Sequence, residues 1–181
     1  MKHTLVALLR DQPGVLSRTV SLFRRRNFNI ESLTVGYSET PGVSRMTLVV
    51  DGDTTSVEQV IKQLSKLIDV LKVSDVTGDA VVSRELMLAK VHASPAKRSE
   101  LMQLADVFNA KIVDVVPDAM MVELSGSPDK VDSFLELLRP FGIREMVRTG
   151  RVAMVRGAYA IAAEPASGSP RADLRERELA A

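Results

Sequence analysis

The 181-residue chain contains no cysteine and no tryptophan, has only two histidines, and is 4% aromatic. Without cysteine, disulfides, thiolate zinc sites and a cysteine nucleophile are all excluded, and the composition suits a reducing compartment. The shortage of aromatic side chains argues against stacking platforms for bases or sugars. His3 and His92 both lie in strand-like segments, so we expect two ordinary strand residues rather than a catalytic pair or a metal cluster.

Charge and hydropathy argue against two further classes of partner. The chain has 24 basic and 23 acidic residues, for a formal net charge of +1, so it exerts no bulk attraction on nucleic acid or anionic lipid. The apolar run near the N terminus is too short for the core of a signal peptide. No segment approaches the roughly 20 apolar residues of a membrane span. We therefore expect a cytoplasmic protein that binds neither nucleic acid nor a membrane.

The first half of the chain alternates strand and helix patterns. Thr4–Arg10 is a short apolar run typical of a buried strand, and it ends at a turn signature that contains Pro13 and a glycine. A helix follows, with Pro13 suited to its first position. Two strands, Phe28–Tyr37 and Arg45–Asp51, are predicted on either side of a polar loop.

A second helix and a fourth strand complete this unit. Thr54 or Thr55 is predicted to cap the helix, with Glu58 in capping-box spacing, and apolar residues then recur with a period close to 3.6. Val70–Thr77 predicts the last strand. The resulting order, βαββαβ, is that of a ferredoxin-like unit.

The second half repeats this plan with little shared sequence. Its predicted elements are strands at 84–92, 111–116 and 120–124, helices at 95–108 and 128–139, and a final extended stretch at 143–155. The fold class is therefore α+β, with two ferredoxin-like domains in tandem, at 1–79 and 80–157. From Ala158 onward the chain is rich in Ala, Pro, Ser and Gly, which predicts a flexible tail at 158–181.

The segment Asp11–Ser17 joins the first strand to the first helix. The first N–H groups of a helix are unpaired and lie at the positive end of its dipole, where they bind carboxylates or phosphates. Gly14 leaves no side chain between an anion and those groups. Because one glycine with no following lysine does not match a phosphate loop, a carboxylate is the better fit. Alternatively, the glycine serves only a tight turn.

Asn29 is a second candidate, because it lies where the chain re-enters the sheet. Its amide can accept from an ammonium group and donate to a carboxylate at once. Alternatively, Asn27 or Asn29 caps the end of the helix. Arg24–Arg26 complement the negative end of that helix dipole, and the aromatic pattern of RNA-binding sheets is missing.

A catalytic arrangement is not visible. The acidic residues are scattered and form neither a nucleophile–base pair nor a metal-ligand spacing. The sequence therefore supports a binding protein better than an enzyme.

Several strings resemble known families. Leu8–Arg18 (LLRDQPGVLSR) is similar to the opening of an ACT domain, the small amino-acid-sensing module. Asn29–Val35 (NIESLTV) and Ser44–Thr47 (SRMT) resemble, more narrowly, the regulatory small subunit of acetolactate synthase. Leu67–Val73 and Arg84–Val91 continue the similarity, which extends over residues 1–157.

This resemblance implies an N-terminal ACT domain, a C-terminal ferredoxin-like domain, and a homodimer whose ACT domains pair side by side. It implies a catalytic large subunit that carries thiamine diphosphate, magnesium and FAD, while this chain has no cofactor, metal or catalytic residue. The large subunit condenses two pyruvates to 2-acetolactate and CO2 in valine, leucine and isoleucine synthesis. The small subunit is expected to raise that activity and to confer feedback inhibition, with valine the favoured effector.

The resemblance also implies an effector site between two protomers. Its residues are Asp11, Gly14, Val15 and Leu16 of one protomer, and Asn29 and Ile30 of the facing protomer. The effector carboxylate is expected at the N–H groups of 14–16, its ammonium at Asp11 or Asn29, and its isopropyl group against Ile30 and Leu16.

The residues alone leave two other functions open. One is an amino-acid-sensing ACT module that regulates a different enzyme or a transcription factor, although no helix-turn-helix pattern is visible. The other is a small enzyme whose site has no recognised motif.

Overall fold

The computed structural model describes residues 1–25 and 28–162. The strands are β1 (Lys2–Arg10), β2 (Ile30–Tyr37), β3 (Val43–Asp51), β4 (Val70–Asp75), β5 (Val81–His92), β6 (Lys111–Val116), β7 (Ala119–Gly126), β8 (Ile143–Arg148) and β9 (Val152–Val155). The helices are α1 (Val15–Arg25), α2 (Thr54–Leu64), α3 (Arg98–Phe108) and α4 (Pro128–Leu138), the last followed by a 3-10 turn at Arg139–Phe141. Within the described ranges, no helix is both long and apolar enough to cross a membrane.

The first sheet is antiparallel, with the strand order β2-β3-β1-β4. Side chains alternate between the two faces of a strand, so Leu5, Ala7 and Leu9 of β1 pack in the core beneath the helices. Val6 and Leu8 face the opposite side, where they are also fully buried. This sheet therefore has two covered faces.

The second sheet has the same arrangement, β6-β7-β5-β8, with helices α3 and α4 covering one face. Strand β5 is long, and its first residues pair with β9 instead of β8. The tandem of two ferredoxin-like βαββαβ units that the sequence predicts is confirmed.

The predicted final stretch, 143–155, is wrong in one respect, because it is two strands and not one. It breaks at Thr149–Arg151, where Gly150 has a φ of +85°. Strand β9 leaves the second helix-covered sheet and lies against the first unit, where Val155 packs on the cluster that contains Val6. Because of this break, β8 pairs within the second unit while β9 packs against the first.

Two local predictions are also corrected. Helix α2 is capped by Asp53, whose side chain accepts a hydrogen bond from the Ser56 N–H at 2.9 Å, and not by Thr54 or Thr55. An aspartate is among the strongest N-cap residues, so it takes the role one position earlier. Pro13 lies in the turn before helix α1 rather than at its first position.

The first residues of the predicted tail, 158–162, are described by the structure. Ile161 is only 5% exposed and belongs to an apolar cluster that joins the two units. Composition averaged over the whole segment conceals this apolar side chain, which packs with Val155 on the face of the first sheet opposite to the helices. Residues 163–181, the remainder of the predicted tail, lie outside the described residues.

Candidate functional site

The connection between β1 and α1 is a tight turn that requires glycine. The Val15 N–H donates to the Gln12 carbonyl at 3.3 Å, and Gly14 has a φ of +81°. Proline second and glycine third, with positive φ at the third position, is the pattern of a type II turn. The tight turn and the open helix start, which the sequence presented as alternatives, are the same feature.

The turn leaves two amides of the helix start open. Within the part of the chain that the structure describes, the N–H groups of Leu16 and Ser17 have no hydrogen-bond acceptor, and both residues are exposed. The Val15 N–H is already used inside the turn. A carboxylate would therefore be met by residues 16 and 17, one position later than the sequence suggested.

A cation lies beside these amides. The guanidinium of Arg18 holds Asp69 through Nε at 3.1 Å and Nη2 at 2.6 Å. A Cβ built on Gly14 would lie 3.3 Å from Arg18 Nη1, so this third nitrogen borders the open turn. Sequence reasoning did not select Arg18, although its place one helical turn after Gly14 puts it on the same face.

Asp11 is held at the mouth of the same turn. Its backbone N–H donates to the Gly42 carbonyl at 2.8 Å, and its carboxylate accepts a hydrogen bond from the Ser44 hydroxyl at 3.2 Å. The residue is exposed. The carboxylate of Asp11 is therefore held beside the turn, and among the described residues it forms no ion pair.

Val15 and Leu16 point in different directions. The side chain of Val15 is 3% exposed and belongs to the core, whereas Leu16 is 41% exposed. Leu16 can offer an apolar contact to a ligand, but the Val15 side chain packs in the core of its own domain.

Asn29 and Ile30 lie at the opposite end of the same sheet. Arg10 pairs with Val43, whereas Ile30 pairs with Val50. These two levels are seven residue steps apart along β3, from Val43 to Val50, which is about 23 Å in a strand. A single chain therefore does not bring Asn29 to the Gly14 turn.

Asn29 and Ile30 line a groove of their own. Its volume is about 370 Å³, and it is lined by Val20, Phe23, Arg24, Phe28, Asn29 and Ile30. Asn29 is exposed and Ile30 is half-buried, so the groove combines an amide, a cation and apolar side chains. Asn27, the other helix-cap candidate, lies outside the described residues.

Other polar groups in the described part of the chain do not form a reactive centre. His3 Nδ1 lies 2.9 Å from Asp75 Oδ2, and His92 Nδ1 lies 3.0 Å from an Arg144 nitrogen, so the two histidines have separate partners. Among the described residues, no group of three or more His, Cys, Asp and Glu side chains is arranged to hold a metal ion. The candidate ligand site therefore remains the pair of half-sites at the two ends of α1.

The halves of the chain match two family models. The model for the small subunit of acetolactate synthase matches residues 84–157, and the AHAS small subunit-like ACT domain matches residues 5–72. A protein of Archaeoglobus fulgidus, named probable acetolactate synthase small subunit, is 56% identical over 157 residues, 87% of this chain and 98% of that protein. The acetolactate synthase small subunit of Aquifex aeolicus is 47% identical over 86% of this chain and 81% of its own length.

The fold leads to the same group of proteins. The crystal structure of the acetolactate synthase small subunit from Thermotoga maritima matches with a TM-score of 0.81 at 40% identity, covering 88% of this chain and 99% of that chain. The first βαββαβ unit is thus the predicted ACT domain, and the resemblance seen in the sequence is confirmed. The chain belongs to the family of acetolactate synthase small subunits.

Proposed function

We propose that this chain activates the catalytic large subunit of acetolactate synthase and makes it sensitive to feedback inhibition by valine. The observation that carries the proposal is the placement of two complementary half-sites at opposite ends of α1. One end offers the open amides of Leu16 and Ser17, and the other offers Asn29 and Ile30. Each half is open to a ligand, and neither alone surrounds one.

A second copy of the chain supplies what one copy lacks. A two-fold axis relates identical surfaces, so residue i of one protomer meets residue j of its partner, and j meets i. Two ACT domains side by side and antiparallel would bring the Gly14 turn of one against Asn29 of the other. A homodimer with two equivalent effector sites follows from this arrangement.

The chemistry of each half suits one end of an amino acid. The effector carboxylate accepts from the amides of Leu16 and Ser17, where the helix dipole and Arg18 favour negative charge. The ammonium lies between Asp11 and Asn29, which present a carboxylate and an amide oxygen. The isopropyl group of valine packs against Leu16 and Ile30, both apolar and accessible.

The chain itself has a regulatory and not a catalytic role in this proposal. Thiamine diphosphate, magnesium and FAD belong to the large subunit, which carries out the condensation. Effector binding shifts the small subunit between two dimer arrangements, and only by the difference in its affinity for them. Couplings of this kind are typically about 1–3 kcal/mol.

The test is Gly14→Asp compared with Gly14→Ala in the reconstituted enzyme. Both variants strain the backbone at a φ of +81°, but only aspartate adds a carboxylate beside Arg18, where the effector carboxylate binds. We expect Gly14→Asp to lose valine inhibition, with an inhibition constant raised more than 100-fold, while Gly14→Ala changes it less than tenfold. The small subunit alone is the control and should not turn over pyruvate.

Equal effects of the two substitutions would refute the site, because strain and not charge would then explain the loss. Unchanged inhibition in Gly14→Asp would do so as well. If the unsubstituted chain neither raised the activity of the large subunit nor made it sensitive to valine, the regulatory assignment would be refuted.

A further inference from the structure

One contact between the two domains of the chain lies at β2, an edge strand of the first sheet. The turn Thr149–Arg151, here called the docking turn, lies against β2 of the ACT domain. The Arg151 N–H donates to Ser32 Oγ at 2.8 Å, and Thr34 Oγ1 donates to the Arg151 carbonyl at 3.1 Å. Backbone atoms of the C-terminal domain thus contact two consecutive outward side chains of β2.

Glycine is required at the centre of the docking turn. Gly150 has a φ of +85°, and a Cβ built there would lie 2.6 Å from Ser32 Oγ and 3.2 Å from Thr34 Oγ1. Real Cβ atoms do not approach an oxygen of this kind at 2.6 Å. A side chain at 150 would therefore displace either the turn or the Ser32 hydroxyl, and in both cases it would disturb the hydrogen bond from the Arg151 N–H to Ser32.

The other side of the docking turn is fixed to the C-terminal domain. The Thr149 N–H donates to the Leu86 carbonyl at 3.0 Å, and the Leu86 N–H donates to Thr149 Oγ1 at 3.2 Å. The preceding Arg148 pairs with Glu85 on β5 and with Asp132 on α4 at 2.7 Å. A displacement of the turn would therefore also move the residues of β5 and α4 that contact it.

A second contact holds the same interface. Arg45 of β3 donates through Nη2 to the Ala153 carbonyl of β9 at 2.9 Å. Beneath it, Val6 and Leu8 pack with Val155 and Ile161. Arg45 belongs to the SRMT string that resembles the family. Its hydrogen bond to β9 explains why a charged residue lies on a sheet face that is largely covered.

Strand β2 carries both the candidate effector contact and the docking contact. Ile30 begins the strand and borders the groove beside α1, and Ser32 follows two residues later. The register shifts between them, which marks a β-bulge that places Ser32 and Thr34 on the face opposite to the helices. One short segment thus touches the effector groove on one face and the C-terminal domain on the other.

We propose that the docking turn transmits the effector state of β2 to the C-terminal domain. The identity of the effector rests on the function proposed above, whereas the contact itself does not. When the groove beside Ile30 fills, the bulged start of β2 adjusts, and Ser32 and Thr34 carry the turn and β9 with them. Gly150 is a positioning residue in this transmission and touches no ligand.

The test compares Gly150→Ala with Gly157→Ala in the full chain. Both glycines have a φ of +85°, but a Cβ at Gly157 meets nothing within 4 Å, so the control reproduces the backbone strain without the collision. Hydrogen exchange is measured first, without effector. We expect Gly150→Ala to speed amide exchange of Ser32–Thr34 and Thr149–Val155 at least tenfold, and Gly157→Ala to change it less than twofold.

The second measurement separates binding from transmission. Valine binding to the small subunit is followed by calorimetry, and inhibition is followed in the reconstituted enzyme. We expect Gly150→Ala to bind valine within threefold of the unsubstituted chain, while the inhibition constant rises at least tenfold. Thr34→Val, which removes the hydroxyl but keeps the shape, should show the same separation to a smaller extent.

The outcomes distinguish the two proposals. If the unsubstituted chain binds no valine, the proposed function fails, and transmission of that effector fails with it. If valine binds normally and Gly150→Ala is inhibited like the unsubstituted chain, only the transmission is overturned. Equal exchange in Gly150→Ala and Gly157→Ala would show that the docking contact does not depend on the fit of Gly150.

Discussion

Gly14 and Gly150 share a left-handed backbone but serve different contacts. At Gly14 the positive φ closes a turn that exposes the amides of Leu16 and Ser17. At Gly150 it lets the backbone approach so closely that an added Cβ would lie 2.6 Å from Ser32 Oγ. The first could be predicted from a Pro-Gly pair between a strand and a helix. The second could not, because its partner is more than a hundred residues away in the chain.

Asp75 provides a prediction on titration. Burial alone would raise the pKa of its carboxyl, but hydrogen bonds from the Thr77 hydroxyl, the Thr77 N–H and His3 outweigh burial and hold the pKa below its ordinary value. A depressed carboxyl pKa stabilises the fold above the unfolded pKa of about 3.9, and this stability is lost as the pH falls through the folded pKa.

Thr77→Val removes the hydroxyl that donates to Asp75, so the pKa of Asp75 should rise toward its ordinary value. The measurement is a carboxyl ¹³C titration by NMR, with Thr77→Ser as the control that keeps the hydroxyl. The stability gap between the two variants should be present at pH 6 and should shrink below about pH 4. An Asp75 pKa that is the same in both variants would contradict the assignment of the cause.

At the scale of elements, most of the fold follows from local patterns. Strands with apolar alternation and helices with a 3.6-residue period appear where the sequence predicts them, with limits that move by a few residues. The exceptions depend on long-range partners. Strand β9 separates from β8 because residues 149–155 dock on the ACT domain, and Ile161 is buried there. No local pattern carries that information.

Helix α4 gives a prediction for one buried face. Phe134 is fully buried, and the centroid of its ring lies 5.0 Å from the centroid of the Phe108 ring. Phe134→Ala should lower the free energy of unfolding by about 3–5 kcal/mol, because it removes a large apolar side chain and leaves a cavity. Leu137→Ala, on the same helix but 47% exposed, should cost only about 0.5 kcal/mol.

Urea unfolding of the full chain, monitored by hydrogen exchange at individual amides of the C-terminal domain, measures the loss of stability in both variants. Similar losses in the two variants would mean that the face containing Leu137 is also buried in solution.

At the scale of the whole molecule, the candidate site is only partly visible in one chain. The sequence indicates the Gly14 turn and Asn29 as ligand-sized features, and the resemblance to the family assigns them to facing protomers. The register of the sheet gives a physical reason why one chain cannot hold both halves of the site together, because Arg10 and Ile30 pair with opposite ends of β3. Arg18 was not predicted, since its role depends on how its guanidinium lies over the turn.

The central claim is that one effector is held by two chains, and mixing two defective chains tests it directly. Gly14→Asp damages one half-site and Asn29→Ala damages the other, so each variant alone should bind valine weakly. In a mixed dimer, one site combines the intact Gly14 turn of one chain with the intact Asn29 of its partner.

The measurement is valine stoichiometry by calorimetry after the two variants are unfolded together and refolded. Random pairing in a two-fold dimer predicts that the mixture regains about a quarter of the sites of the unsubstituted protein, at normal affinity. No recovery of tight binding sites in a mixture that demonstrably contains mixed dimers would contradict the account, because each site would then lie within a single chain.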